Sequence, residues 1–244
     1  VKPRGQNTIN TKMNMFRAFL YWCVKSKIIV QSPFFEYEFS PDIYGDPIPL
    51  LATEVDLLYT LENVPDRLAI TRDIFCLHCF MGCRVGDLVS LRKENLQGDI
   101  VSYVAEKTVK DNPVTVYVPL GSRALDLIKK YNFPDGKLMP FFNVNGEHGY
   151  NKRIKELCLF AELDRTVVVI NTLTRKPESL PLHKVVSTHT ARRTFINSNY
   201  AKTQDPALIS MMTGHSKNSR AFSRYRNIDL DILREQVTKA FEKE

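Results

Sequence analysis

Residues 74–91 read IFCLHCFMGCRVGDLVSL, an almost wholly apolar run that nevertheless carries Arg84 and, three residues on, Asp87. A stretch this apolar reads as part of a packed region. A charge enclosed there is costly unless it is paired and hydrogen-bonded. Two readings stay open: an Arg84–Asp87 ion pair closing a helix end, or Asp87 holding the guanidinium so that its free fork can grip a phosphate in bidentate fashion.

The same run invites a metal reading, because Cys76, His78, Cys79 and Cys83 cluster in it. Cys76, Cys79 and Cys83 follow the i, i+3, i+7 spacing of a core-facing helical stripe, and no second Cys or His pair stands at zinc-finger spacing. No metal or other cofactor is therefore expected.

Around this centre the periodicity is mainly helical. Residues 8–27 put Ile9, Met13, Phe16, Phe19, Leu20 and Cys23 on one stripe that must pack on something. Residues 32–49, SPFFEYEFSPDIYGDPIP, carry four prolines and read as an extended linker, with a domain boundary near residue 47. Helices are expected from LLATEVDLLYTLE, with Thr53 as N-cap, and from PDRLAITRDIFCLHCFMG up to Gly82. After Leu91 the period drops to two: DIVSYVAEKTVKDNPVTVYVPL predicts a β-hairpin turning near VKDNP. GSRALDLIKKY and GYNKRIKELCLFAEL return to helix, RTVVVINTLTRKPESLPLHKVVS predicts a second hairpin or pair of edge strands, and residues 190–244 are largely helical. The fold class is thus mainly α with a small antiparallel sheet (α+β).

A net charge of +7 favours a polyanionic partner. Five cysteines in no regular framework argue against a disulfide scaffold and for a reducing cytosol. No apolar run is long enough to span a membrane. A chain that opens on Val1 rather than Met is expected to be part of something longer.

Two more clusters stand out. In STHTARRTFIN, His189 and Arg192 are three apart and so share a helical face, at a predicted helix N-terminus whose backbone N–H groups and dipole favour an anion. In TGHSKNSRAFSRYRNID, Gly214 ends a helix and leaves His215 in a loop, ten residues before Tyr225. By itself Tyr225 reads as a core aromatic, packed with Phe222.

In chain order, Arg84 in GCRVGDL, a lysine in AEKT, the HTARR motif, TGHS and a tyrosine some ten residues later resemble the signature of the tyrosine recombinase (phage integrase) family, most of all the integrases of bacterial conjugative transposons and related mobile elements. The resemblance covers residues 48–244. It implies a catalytic domain over residues 47–244, preceded over 1–46 by the C-terminal part of a helical core-binding domain plus linker. It makes Arg84 and Arg192 the arginines that clamp a scissile phosphate, Lys107 the hairpin lysine that serves as general acid, and Tyr225 the nucleophile. His189 and His215 take the remaining positive or proton-shuttling places, and Asp87 supports the first arginine. Two departures from the family pattern matter. The step from His215 to Tyr225 is one residue longer than the family more often shows, and the longer turn after EKT leaves Lys110 as a rival to Lys107.

The chemistry implied is DNA strand cleavage and rejoining through a 3′-phosphotyrosine, independent of metal and ATP, for integration and excision of a mobile element. Implied partners are double-stranded DNA recombination sites, other copies of the chain in a tetramer on DNA, and accessory DNA-bending proteins. The implied location is the bacterial cytoplasm, at the nucleoid when DNA is bound. A non-catalytic excision-accessory protein on the same fold and a type IB topoisomerase are the alternatives. The C-terminal LREQVTKAFEKE reads as a helix that packs either in cis or on a neighbouring copy.

Overall fold

The computed structural model describes residues 3–109, 113–131, 136–139, 146–203 and 205–215. Its chain forms two compact units. The first is Val1–Asp46 with Thr166–Leu180, and the second comprises the described residues of Pro47–Arg165 and Pro181–Glu244.

In the second unit the apolar run is central. Helix α3 (Asp66–Met81) buries Leu68, Ile74, Phe75, Cys76, Leu77, Cys79 and Met81 on all its sides. Around it pack α2 (Ala52–Thr60), α5 (Ser122–Lys129), α6 (Gly146–Phe160) and α8 (Thr188–Thr203). Thr53 does not cap α2. The cap is Leu51, whose backbone N–H donates to Glu54 Oε2 at 2.8 Å, so the carboxylate replaces the expected hydroxyl. Glu54 also accepts from Arg165 Nε (2.5 Å), and Arg165 Nη2 donates to Pro49 O (2.7 Å), which fixes the start of α2.

Helix α3 ends at Gly82, whose φ of 62° lies in the left-handed region and whose N–H donates to His78 O at 2.9 Å. A Cβ on Gly82 would meet the Phe195 ring at 2.4 Å, so glycine is required there by both backbone and packing. A two-residue link, Cys83 and Arg84, leads into α4 (Val85–Ser90).

The expected hairpin is present as β2 (Ile100–Val104) and β3 (Thr115–Pro119), paired antiparallel with Val101 opposite Val118 and Tyr103 opposite Val116. Val101, Tyr103, Val116 and Val118 face the core, in keeping with the period of two. A short β1 (Leu96–Gln97), too brief to show a period, adds a third strand beside β2. The tip VKDNP includes residues 110–112, so Lys110 lies outside the described residues. After α6 come β4 (Thr166–Ile170), β5 (Pro177–Pro181) and the short α7 (Leu182–Val185); β4 and β5 form the second expected hairpin. Helix α9 (Pro206–Thr213) is capped by Asp205, whose Oδ1 accepts from Ala207 N at 2.7 Å, and stops at Gly214 with φ 64°.

In the first unit α1 (Gln6–Lys25) forms where its period predicts, but its apolar stripe is largely uncovered. Cys23 is buried, whereas Phe16 and Phe19 are 52% and 54% exposed. The buried helix position that periodicity missed is Asn10, which donates to Ser40 O and Asp42 Oδ1, both at 2.8 Å. Asn7 brackets Ile43, donating to its carbonyl and accepting from its N–H at 2.7 Å each. The proline-rich segment, without regular structure, is therefore held along α1 by two asparagines. The second hairpin joins this unit through Arg175, whose Nη2 donates to Gln6 Oε1 at 2.8 Å.

Candidate phosphate-binding cleft

Four of the basic residues singled out in the sequence line one cleft of about 450 Å³: Arg84, Lys107, His189 and Arg192, together with Asp87, Glu106 and Thr188. They come from three separate places in the chain. Arg84 leaves the link between α3 and α4, Lys107 sits in the turn Glu106–Thr108 that follows β2, and His189 and Arg192 project from the first turns of α8.

Arg192 is only 4% exposed. Its Nη1 donates to Gly82 O (2.9 Å) and its Nη2 to Thr213 O (2.7 Å), so one guanidinium ties α8 to the ends of α3 and α9. Phe195, three residues on and on the same face, fills the space that the absent Gly82 side chain leaves. Nη2 also lies 2.9 and 3.1 Å from the two ring nitrogens of His215. A guanidinium can only donate, so one of those nitrogens must be unprotonated and the imidazole neutral. Burial and the charges of Arg192, Arg84 and Lys107 act in the same sense and push the His215 pKa down to about 3. His215 is thus a neutral donor-acceptor, not a cation. Gly214 brings it close, since a Cβ there would stand 2.9 Å from Val116 Cγ2 and 3.9 Å from Arg84 Nη1.

Arg84 differs. Its Nη1 is buried and has no hydrogen-bond partner among the described residues. Asp87 does not hold it, contrary to both readings of the Arg84–Asp87 pair. Asp87 Oδ1 instead accepts the backbone N–H of Glu106 at 2.9 Å. The buried carboxylate therefore anchors the turn that presents Lys107. That turn is closed further by Thr108, whose N–H and hydroxyl both donate to Ala105 O at 2.9 Å and whose Oγ1 accepts from Val114 N at 3.1 Å. Lys107 itself is exposed, a flexible cation on a fixed base. Gly86 leaves room for Glu106, whose Oε2 would lie 2.7 Å from a Cβ placed there.

Helix α8 begins at Thr188 as expected, but its first N–H is already satisfied, by Asn151 Oδ1 at 2.8 Å. What the helix end offers an anion there is its dipole and His189 rather than that N–H. Asn151 and Glu106 were not foreseen as parts of the site; their partners are remote in sequence, and no local pattern marks them. Cys76 and Cys83 are buried, and burial pushes each thiol up to about 12, so both stay protonated. Among the described residues no group of three or more His, Cys, Asp or Glu is placed to hold a metal ion, and no helix is long and apolar enough to cross a membrane. Tyr225 and the C-terminal LREQVTKAFEKE lie outside the described residues.

This arrangement of helices around α3 with a small three-stranded antiparallel sheet, and with the cleft between α4, the turn after β2 and α8, is the α+β fold of the tyrosine recombinase catalytic domain. Among solved structures, the Tn1549 transposon integrase in complex with circular intermediate DNA matches over 96% of this chain and 79% of its own, with a TM-score of 0.66 and 15% identity. The XerH site-specific recombinase bound to palindromic difH matches over 81% of this chain and 54% of its own (TM-score 0.56, 17% identity). The XerA recombinase matches over 82% and 68% (TM-score 0.56, 16% identity). No protein-family model matches the chain, and no curated protein sequence matches it. At these identities the likeness is one of fold.

Proposed function

We propose that the chain is the catalytic part of a site-specific DNA recombinase, which cleaves and rejoins DNA strands through a 3′-phosphotyrosine on Tyr225 without metal or ATP. The reading rests on one observation above all: Arg84, Lys107, His189 and Arg192, scattered over more than a hundred residues, converge on one cleft in which a buried Arg84 N–H has no partner among the described residues. A phosphodiester carries one negative charge and gains more as its phosphorus becomes five-coordinate, and two fixed guanidiniums stabilise that change.

Tyr225 has a reference pKa near 10, so ionising it at pH 7 costs roughly 4 kcal/mol. A cationic cleft offsets much of this by favouring the phenolate. His215, kept neutral by burial beside Arg192, fits the role of hydrogen-bond donor to a phosphate oxygen. Lys107, mobile at its tip, supplies a proton to the leaving 5′-oxygen; Lys110 is the rival for that step. The phosphotyrosine conserves the energy of the broken bond, so a 5′-hydroxyl of another strand can reverse the attack and rejoin DNA. Integration and excision of a mobile element, at recombination sites in duplex DNA and within a tetramer of copies, is the biological setting that fits this chemistry. Residues 1–46 then correspond to the end of a core-binding domain.

The test is a nicked suicide duplex carrying the recombination site. Wild-type protein should accumulate a covalent DNA adduct, and Tyr225→Phe should bind the duplex but form none. An adduct with the phenylalanine variant refutes the assignment.

A further inference from the structure

His78 belongs to the Cys/His cluster that the chemistry above leaves unused. It is fully buried in α3, one turn before Gly82, with its ring stacked on Tyr150 (centroids 6.3 Å apart, planes 21°). Stacking leaves only the ring edge for polar contact. There Nε2 stands 3.0 Å from Cys83 O. A carbonyl only accepts, so Nε2 carries the proton and the ring is the donor. Nδ1 has no hydrogen-bond partner among the described residues, and burial holds the ring neutral, its pKa pushed down to about 4.

The carbonyl that His78 holds belongs to the peptide joining Cys83 to Arg84. The preceding carbonyl, Gly82 O, accepts from Arg192 Nη1, and the Gly82 N–H donates to the backbone carbonyl of His78. Successive peptides of this link are thus tied from both sides, to α3 through His78 and to α8 through Arg192.

We propose that His78 is a positioning residue for the phosphate cleft: by donating Nε2–H to Cys83 O it sets the peptide plane from which Arg84 projects and its register against Arg192. The proposal rests on the reading of the cleft given above. Leucine at position 78 fills similar volume but leaves Cys83 O without its donor, whereas the Nε2 of a glutamine side chain can reach the same place. Misplacement of a binding group by about 1 Å can cost as much as a hundredfold in rate.

The test compares H78L with H78Q by two readouts well below their unfolding temperatures: sulfate affinity, from isothermal titration calorimetry, and the rate of adduct formation on saturating nicked duplex. H78L should lose about tenfold or more in both, with H78Q within about threefold of wild type. I74A, destabilised in the same helix, should keep both values, which separates positioning from stability. If H78L does not fold, H78M takes its place. Equal values for H78L and wild type, or equal impairment of H78L and H78Q, overturn the proposal. A wild-type protein that binds sulfate but forms no adduct overturns the recombinase reading alone, and the sulfate comparison still decides on His78. A wild-type protein that binds no sulfate overturns both.

Discussion

The two arginines of the cleft sit in opposite circumstances. Arg192 is almost wholly enclosed and gives its N–H groups to Gly82 O and Thr213 O while lying against His215. Arg84, partly buried on a short link, keeps a buried Nη1 that donates to nothing among the described residues. An enclosed donor left without a partner costs about 1–3 kcal/mol, a cost that an arriving anion removes. One arginine is thus built into the scaffold, and the other, on the proposed function, is held ready for a phosphate.

The strongest way to break this contrast is to truncate each. Arg192→Ala strands two carbonyls and is expected to lower unfolding free energy by about 3 kcal/mol as well as abolish cleavage. Arg84→Ala should abolish cleavage and sulfate stabilisation with a stability change below about 1 kcal/mol. Urea denaturation with and without sulfate distinguishes them; equal losses of stability would refute the difference.

The second test concerns the neutral histidines. His78 and His215 have folded pKa values near 4 and 3, below the ordinary 6.5. Above about pH 7 neither state binds the extra proton, and their stabilising effect is complete. As pH falls through 6.5 the unfolded chain takes up protons that the folded chain refuses, so stability drops, by about 2 kcal/mol per histidine at pH 5, until the folded pKa is reached. In H78Q the loss between pH 7 and 5 should be roughly halved. An unchanged slope would mean that His78 titrates normally in the fold.

Smaller effects sharpen the picture around the cleft. Gly214→Ala forces a side chain into the left-handed region and against Val116, and should cost about 1–2 kcal/mol while displacing His215. Asp87→Ala removes the acceptor for Glu106 N and should cost about 1 kcal/mol, with a slower protonation of the leaving group as the Lys107 turn loosens. Asp87→Asn retains a carbonyl oxygen and should be nearly silent in both. If the asparagine variant is as impaired as the alanine, the carboxylate acts through its charge rather than by holding the turn.

Regions differ in how far their sequence could be read. The apolar run 74–91 announces its burial because it offers no polar side to water, and Gly82 and the period-two strands mark where helix gives way to hairpin. Helix α1 shows the limit of the same reasoning. Its period locates an apolar face but says nothing of what covers it, so Phe16 and Phe19 are exposed while Asn10, fixed by contacts thirty residues away, is buried. Polar partners at long range were hidden for a like reason: Asp87 binds a backbone N–H nineteen residues on rather than the arginine three residues before it. Attachment of the second hairpin to residues 1–46 is of the same kind. The ordered motifs did name four residues that the fold brings to one cleft, because side chains that share a ligand must be of a few chemical types whatever their spacing.

The most direct test of the central claim is to locate the covalent bond. Wild-type protein trapped on a nicked recombination-site duplex, digested with protease and nuclease, should yield a single nucleotide-bearing peptide that fragments to a phosphotyrosine at Tyr225. A modification on any other residue, or full binding of the duplex with no modified peptide, would contradict the account.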